Sequence, residues 1–157
     1  MPLLPDLATF RKALSPGRLL GFDLGEKTIG LALSDPLRGI ASPMETLRRG
    51  KFSHDVKIVK QIIDKHSVSG IVMGYPVNMD GSEGPRSQAV RQFVRNMESH
   101  VTLPALLWDE RLSTMAVERA MLEADLSRQR RAELVDKTAA AYILQGALDA
   151  LRVACDR

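Results

Sequence analysis

At 157 residues, with 45% apolar and 26% charged residues, the chain is long enough for one domain whose core needs neither disulfides nor a structural metal. No apolar run approaches the roughly 18 residues of a membrane span, and the opening MPLLPDLATFRKALSPG lacks the unbroken apolar block of a signal peptide. The lone Cys155 rules out an internal disulfide and suits a reducing, cytoplasmic setting; the net charge of +3 is compatible with nucleic acid without requiring it.

The first seventeen residues read as an extension ahead of a main domain at 18–153. Leu3, Leu7, Phe10 and Leu14 predict one face of a short helix from Asp6, packed on the domain edge, and Pro16-Gly17 breaks the chain. From Arg18 to Ser34, two short apolar runs flank Gly-Glu-Lys-Thr, which predicts a β-hairpin. A third extended run, Ile40 to Leu47, contains Pro43 and so belongs on a sheet edge.

Ser53 then opens a helical pattern through Val56, Val59, Ile62 and Ile63, with Ser53 itself as the expected N-cap. The apolar run 70–74 predicts a buried strand. After the loop 75–85 comes a helix with Ala89, Val90, Phe93, Val94 and Met97 on one side. Ala105 to Trp108 reads as another buried strand, Ser113 can cap a further helix, and a last helix is expected from about Arg131 to Val153. The predicted fold class is α/β: a five-stranded mixed sheet in the order β-β-β-α-β-α-β-α-α, flanked by helices. If the first strand lies beside the fourth, connections leave in opposite directions there, and that switch point is where open α/β sheets place their sites.

Three acids fall near that place. Asp23 stands inside the apolar run Leu19 to Leu24, where an ionised carboxylate is costly unless positive charge meets it. Gly21 and Gly25 flank it and leave room for the close approach of a ligand. Glu110 follows a buried strand, with Asp109 as an alternative ligand. Asp136 shares a helical stripe with Ala139, Ala140, Ile143 and Ala147; its rival reading is an acid favoured by the positive end of the helix dipole.

Carboxylates without a histidine cluster or cysteine ligands specify a hard cation bound through oxygen. His54, His66 and His100 have no metal-ligand spacing and read as surface residues. Two Mg²⁺ or Mn²⁺ ions about 4 Å apart would serve phosphodiester hydrolysis. Arg128, Arg130, Arg131 and Lys137 surround Asp136 in sequence and suit a groove for backbone phosphates. The glycine-bearing loop 78–84 ahead of a helix is a weaker phosphate signal. There is no Walker A motif and no Gly-x-Gly-x-x-Gly, which counts against nucleotide cofactors.

The stretches GFDLGEKTIGLALSD, GYPVNMDGSEGPR, WDERLST and VDKTAAAYILQ resemble the YqgF family, also called RuvX, in matching order from Arg18 to Leu151. The resemblance implies an RNase H-like fold and a bacterial cytoplasmic nuclease that processes the 5′ end of the precursor of 16S ribosomal RNA; an older family name refers to Holliday junction resolution. By position it carries the acidic centre onto Asp23, Glu110 and Asp136, the residues expected to be catalytic and to hold the metals. Lys27, Asn78, Gly81, Arg86 and Arg111 lie within its motifs and join Arg128, Arg130 and Arg131 as the expected nucleic-acid contacts. The expected partner is precursor ribosomal RNA, with branched DNA second, and the expected state is a monomer or weak homodimer. Three rivals stand beside this reading: a four-way junction resolvase acting as a symmetric dimer, a phosphate-loop ATPase like the actin and sugar-kinase proteins, and a non-catalytic nucleic-acid-binding module.

Overall fold

The computed structural model describes residues 3–4, 6–75, 84–109 and 128–155, with the side chains of the last helix described from 139 to 152. The hairpin expected from the first apolar runs forms as β2 (Arg18–Leu24) and β3 (Thr28–Ser34). They pair antiparallel with Asp23 opposite Gly30, and the Gly25 N–H closes the turn on the Thr28 carbonyl at 2.8 Å. Beyond β3, β4 (Ala41–Arg48) is the sheet edge, as Pro43 demands.

The chain then alternates. Helix α2 (Phe52–His66) leads to β5 (Val68–Tyr75), helix α3 (Pro85–Met97) to β6 (Ala105–Asp109), and α4 (Arg128–Cys155) follows. Strand β5 is buried along its whole length, which is why its sequence is a continuous apolar run rather than an alternation. Strands β2, β5 and β6 are parallel to one another. The five predicted strands are therefore all present, and β2 lies beside β5, which makes the switch point.

A sixth, two-residue strand was not expected. Leu3–Leu4 forms β1, parallel to Ala105 and Leu106 of β6, so the sheet order is β1-β6-β5-β2-β3-β4. Leu3 therefore leaves the helix face assigned to it. The helix, α1 (Leu7–Ala13), starts after Asp6, whose carboxylate accepts a hydrogen bond from the Thr9 N–H at 2.7 Å.

Two further expectations shift. The N-cap of α2 is Lys51, not Ser53, and it offers no side-chain bond. The buried Asp55 carboxylate instead accepts from the Gly50 N–H at 3.1 and 3.2 Å, fastening the loop that enters the helix. In α3, Val90, Phe93, Val94 and Met97 are buried but Ala89 is exposed.

Each sheet face carries its own core. Helices α2 and α3 cover Leu20, Phe22, Ile71 and Met73 on one side. On the other, α1 and α4 cover Leu19, Ala32, Val72 and Leu106 through Phe10, Ala140, Leu144 and Leu148. Residues of β2 thus alternate between the two cores, and Asp23 falls on the α4 face.

Candidate active site

The two-residue period of β2 fixes the direction of Asp23. Phe22 and Leu24 belong to the α2/α3 core, so Gly21 and Asp23 face α4. The carboxylate is half-buried near the carboxyl end of the central strand. The same register gives the position of its neighbours. Phe22 lies beside Met73 of β5, which puts Asp23 level with Gly74, and Gly74 level with Trp108 of β6.

Helix α4 comes very close to this strand. A Cβ built on Gly21 would stand 2.8 Å from Leu144 Cβ and 3.1 Å from the Ala140 carbonyl oxygen. One built on Gly30 would meet Asp23 Cβ at 3.5 Å and Ala140 Cβ at 3.7 Å. Going from Leu144 back to Ala140, the contact moves from Gly21 to the level of Asp23, so α4 runs antiparallel to β2. Residue 136 lies one turn earlier, about 6 Å further toward the carboxyl end of β2. It is also eight residues into the helix, beyond the first turn in which the dipole favours an acid. Gly21 thus serves the approach of a helix, not that of a ligand.

Asp109 and Glu110 separate on the same geometry. Asp109 is paired with Tyr75, a member of the α2/α3 core, so it stands on the face away from Asp23. Glu110 lies outside the described residues. Tyr75 is tied to α3: its hydroxyl accepts from Arg91 Nε at 2.8 Å, with the guanidinium carbon 5.0 Å from the ring centroid.

Of the expected nucleic-acid contacts, Lys27 is exposed in the β2–β3 turn, where its carbonyl accepts from the Arg49 N–H at 2.8 Å. Arg86 is exposed in the first turn of α3, after β5. Both stand at the carboxyl end of the central strands. Asn78, Gly81 and Arg111 lie outside the described residues. Arg128, Arg130 and Arg131 open α4, which has no acid in its first turn; their side chains, like that of Asp136, lie outside the described set. Among the described residues no three acidic, histidine or cysteine side chains lie together, and His54 and His100 are exposed while His66 is half-buried.

One residue on this face escaped the sequence. The β3–β4 register shifts between Leu31 and Ala32, skipping Met44, so alternation along β4 changes phase in mid-strand. Arg48, opposite Thr28, is consequently an exposed cation on the Asp23 face.

The family model described as "RuvX: Holliday junction resolvase" matches residues 17–150. The chain belongs to the RuvX family. A relative from Rhodobacter capsulatus is 60% identical over 148 residues, covering 94% of this chain and 93% of that protein. Another, from Zymomonas mobilis subsp. mobilis, is 56% identical over 145 residues, covering 92% and 88%. Both carry the name "Putative pre-16S rRNA nuclease". RuvX membership brings the enzyme class with it, a hydrolase acting on phosphodiester bonds. Among solved structures, Thermus thermophilus RuvC in complex with a Holliday junction substrate superposes with a TM-score of 0.54 at 12% identity, covering 89% of this chain and 96% of that one. That likeness is one of fold, and it agrees with the RNase H-like architecture.

Proposed function

We propose that this RuvX protein is a metal-dependent nuclease that processes the 5′ end of the 16S ribosomal RNA precursor in the cytoplasm, with Asp23, Glu110 and Asp136 as its acidic centre. The observation that carries the reading is Asp23: a carboxylate at the sheet's switch point, on the face covered by α4, with position 136 one turn past their closest approach. Asp109 stands on the other face of the sheet, which favours Glu110 as the second acid.

The donor chemistry fits Mg²⁺ or Mn²⁺, two ions being the usual arrangement for phosphodiester hydrolysis, since the acids offer oxygen alone. Bound there, the metal supplies an activated water and charge neutralisation at the leaving oxygen. The chain's own part is to hold and orient. Backbone pairing to Gly30 fixes Asp23 in mid-sheet, and the close seating of α4 fixes position 136 relative to it. Lys27, Asn78, Gly81, Arg86, Arg111, Arg128, Arg130 and Arg131 bind the nucleic-acid strand. The three arginines opening α4 oppose the helix dipole at about 0.3–1 kcal/mol each, a placement that an anionic partner reverses.

An RNA single strand suits one small domain with one acidic centre, whereas paired junction cleavage requires two centres held by a symmetric interface. The test is purified protein with Mg²⁺ or Mn²⁺, given a precursor fragment and a synthetic four-way junction side by side while mass in solution is measured. The wild type should cut the RNA as a monomer or weak dimer, and Asp23→Asn should abolish cleavage without unfolding the chain. A stable dimer making symmetric cuts in the junction, with the RNA left whole, would overturn the proposal in favour of a resolvase.

A further inference from the structure

The face bearing Asp23 continues across β3 to the sheet edge. Gly30, opposite Asp23, is half-exposed, so the surface between them is low. Thr46, opposite Gly30, and Arg48 are exposed on the same face. Past Thr46, on the side away from Arg48, Ala41, Pro43, Ala141, Tyr142 and Gln145 line an open cleft of about 280 Å³ between β4 and α4. Pro43 and Ala41 pair with Ala32 and Ser34, which places both on the α4 side. Tyr142 is 38% exposed.

The back of the cleft is fastened. Gln145 Oε1 accepts from the Ala41 N–H at 2.8 Å, and Nε2 donates to the Gly39 carbonyl at 3.0 Å and to Asp149 Oδ1 at 2.9 Å. With its amide committed, Gln145 is not a reader of base edges. What the cleft offers is a proline, an alanine and an aromatic ring, which suit a flat apolar group and not a particular sequence.

We infer that this cleft is a stacking subsite for one unpaired base of the substrate strand, an inference that rests on the nuclease reading. The strand passes from the acidic centre across Thr46 and lays a base against Tyr142 and Pro43. Two strand spacings across and two residues along put the cleft about 12 Å from Asp23. That is roughly three or four nucleotides at the stacked spacing of about 3.4 Å. Stacking on an aromatic ring tolerates every base, so the subsite adds grip and register without sequence preference.

The experiment uses the full chain without divalent metal, titrated into a labelled single-stranded oligoribonucleotide and followed by fluorescence anisotropy, with cleavage measured separately in Mg²⁺. Tyr142→Ala should weaken binding roughly 5- to 150-fold, while Tyr142→Phe stays within about twofold of wild type. In cleavage, KM should rise with kcat largely kept. An oligoribonucleotide with an abasic nucleotide three or four positions from the cut should weaken the wild type by the same factor and remove its advantage over Tyr142→Ala. If Tyr142→Ala fails to fold, the abasic comparison on the wild type decides alone. Equal binding by Tyr142→Ala, or a loss in Tyr142→Phe as large as in Tyr142→Ala, overturns the inference while leaving the nuclease reading intact. A wild type that neither binds nor cleaves single-stranded RNA removes both.

Discussion

Replacing Gly21 by alanine tests the link between packing and chemistry in this fold. The added methyl would stand 2.8 Å from Leu144 Cβ and 3.1 Å from the Ala140 carbonyl oxygen, where ordinary contact begins near 3.4 Å. Neither neighbour is the far end of a flexible side chain, so α4 must withdraw by about 0.6 Å to restore ordinary contact. Overpacking of this kind costs about 1–3 kcal/mol, and each kcal/mol lowers Tm by roughly 2–4 °C at this chain length. The same withdrawal moves position 136 away from Asp23. Catalytic constellations tolerate about 0.5 Å of misplacement, and 1 Å can cost about a hundredfold, so cleavage should fall by roughly tenfold or more. Gly30→Ala is the control: its methyl meets Asp23 Cβ at 3.5 Å and Ala140 Cβ at 3.7 Å, both ordinary contacts, and its stability should stay within about 1 kcal/mol of wild type. Denaturant unfolding and Mg²⁺-dependent cleavage of the precursor fragment read the two effects. Wild-type stability and activity in Gly21→Ala would refute the close seating of α4, and with it the register that brings position 136 to Asp23.

Three further outcomes are expected. Neutralising Arg128, Arg130 and Arg131 together should flatten the salt dependence of RNA binding, each lost phosphate contact lowering the log–log slope by about one unit; an unchanged slope would return them to an ordinary solvated face. Phe10→Ala should cost about 3–5 kcal/mol, because Phe10 is fully buried in the core it shares with Val72 and Leu144; a loss below about 1 kcal/mol would make the N-terminal segment dispensable to the core. Asp35, in the β3–β4 turn, accepts from the N–H groups of Ile40 at 2.9 Å and Gly39 at 2.8 Å, and these hold its pKa below the ordinary 3.8. The stability it contributes is complete above 3.8 and is lost as pH falls through the lower folded value. Denaturant midpoints on the acid side of neutrality should therefore lose part of their pH dependence in Asp35→Asn, and an identical profile would show that the turn contributes none.

What the sequence disclosed followed from patterns long enough to read. The small-residue face of α4 repeats at a spacing near four, β5 is an unbroken apolar run, and the β2–β3 hairpin and the edge of β4 are marked by turn residues and a proline. Strand β1 has two residues and therefore no period. Ser53 has the chemistry of a cap, but Asp55 reaches back to Gly50 and takes over the tying of that loop. The skip at Met44 reverses which side chains of β4 share a face with Asp23, and nothing local to the strand announces it. Arg48 and the Tyr142 cleft could be seen only after that register was known.

The candidate site shows the same division. Asp23 stands out in the sequence because a charge inside an apolar strand conflicts with its surroundings, which is what makes it a candidate. Asp109 and Glu110 are adjacent acids after the same strand, and only the pairing of Asp109 with Tyr75 separates them by face. Gly21 lacks a side chain, and the space this leaves is filled by Leu144. Beside it, Ala140 meets Gly21 through its backbone carbonyl and Gly30 through its Cβ, so a small residue at 140 lets α4 lie close to β2 and β3. A helix with larger residues at 140 would stand further from β2, gaining apolar area while carrying residue 136 away from Asp23. In this fold, therefore, the packing of α4 on β2 and the geometry of the proposed acidic centre rest on the same few residues.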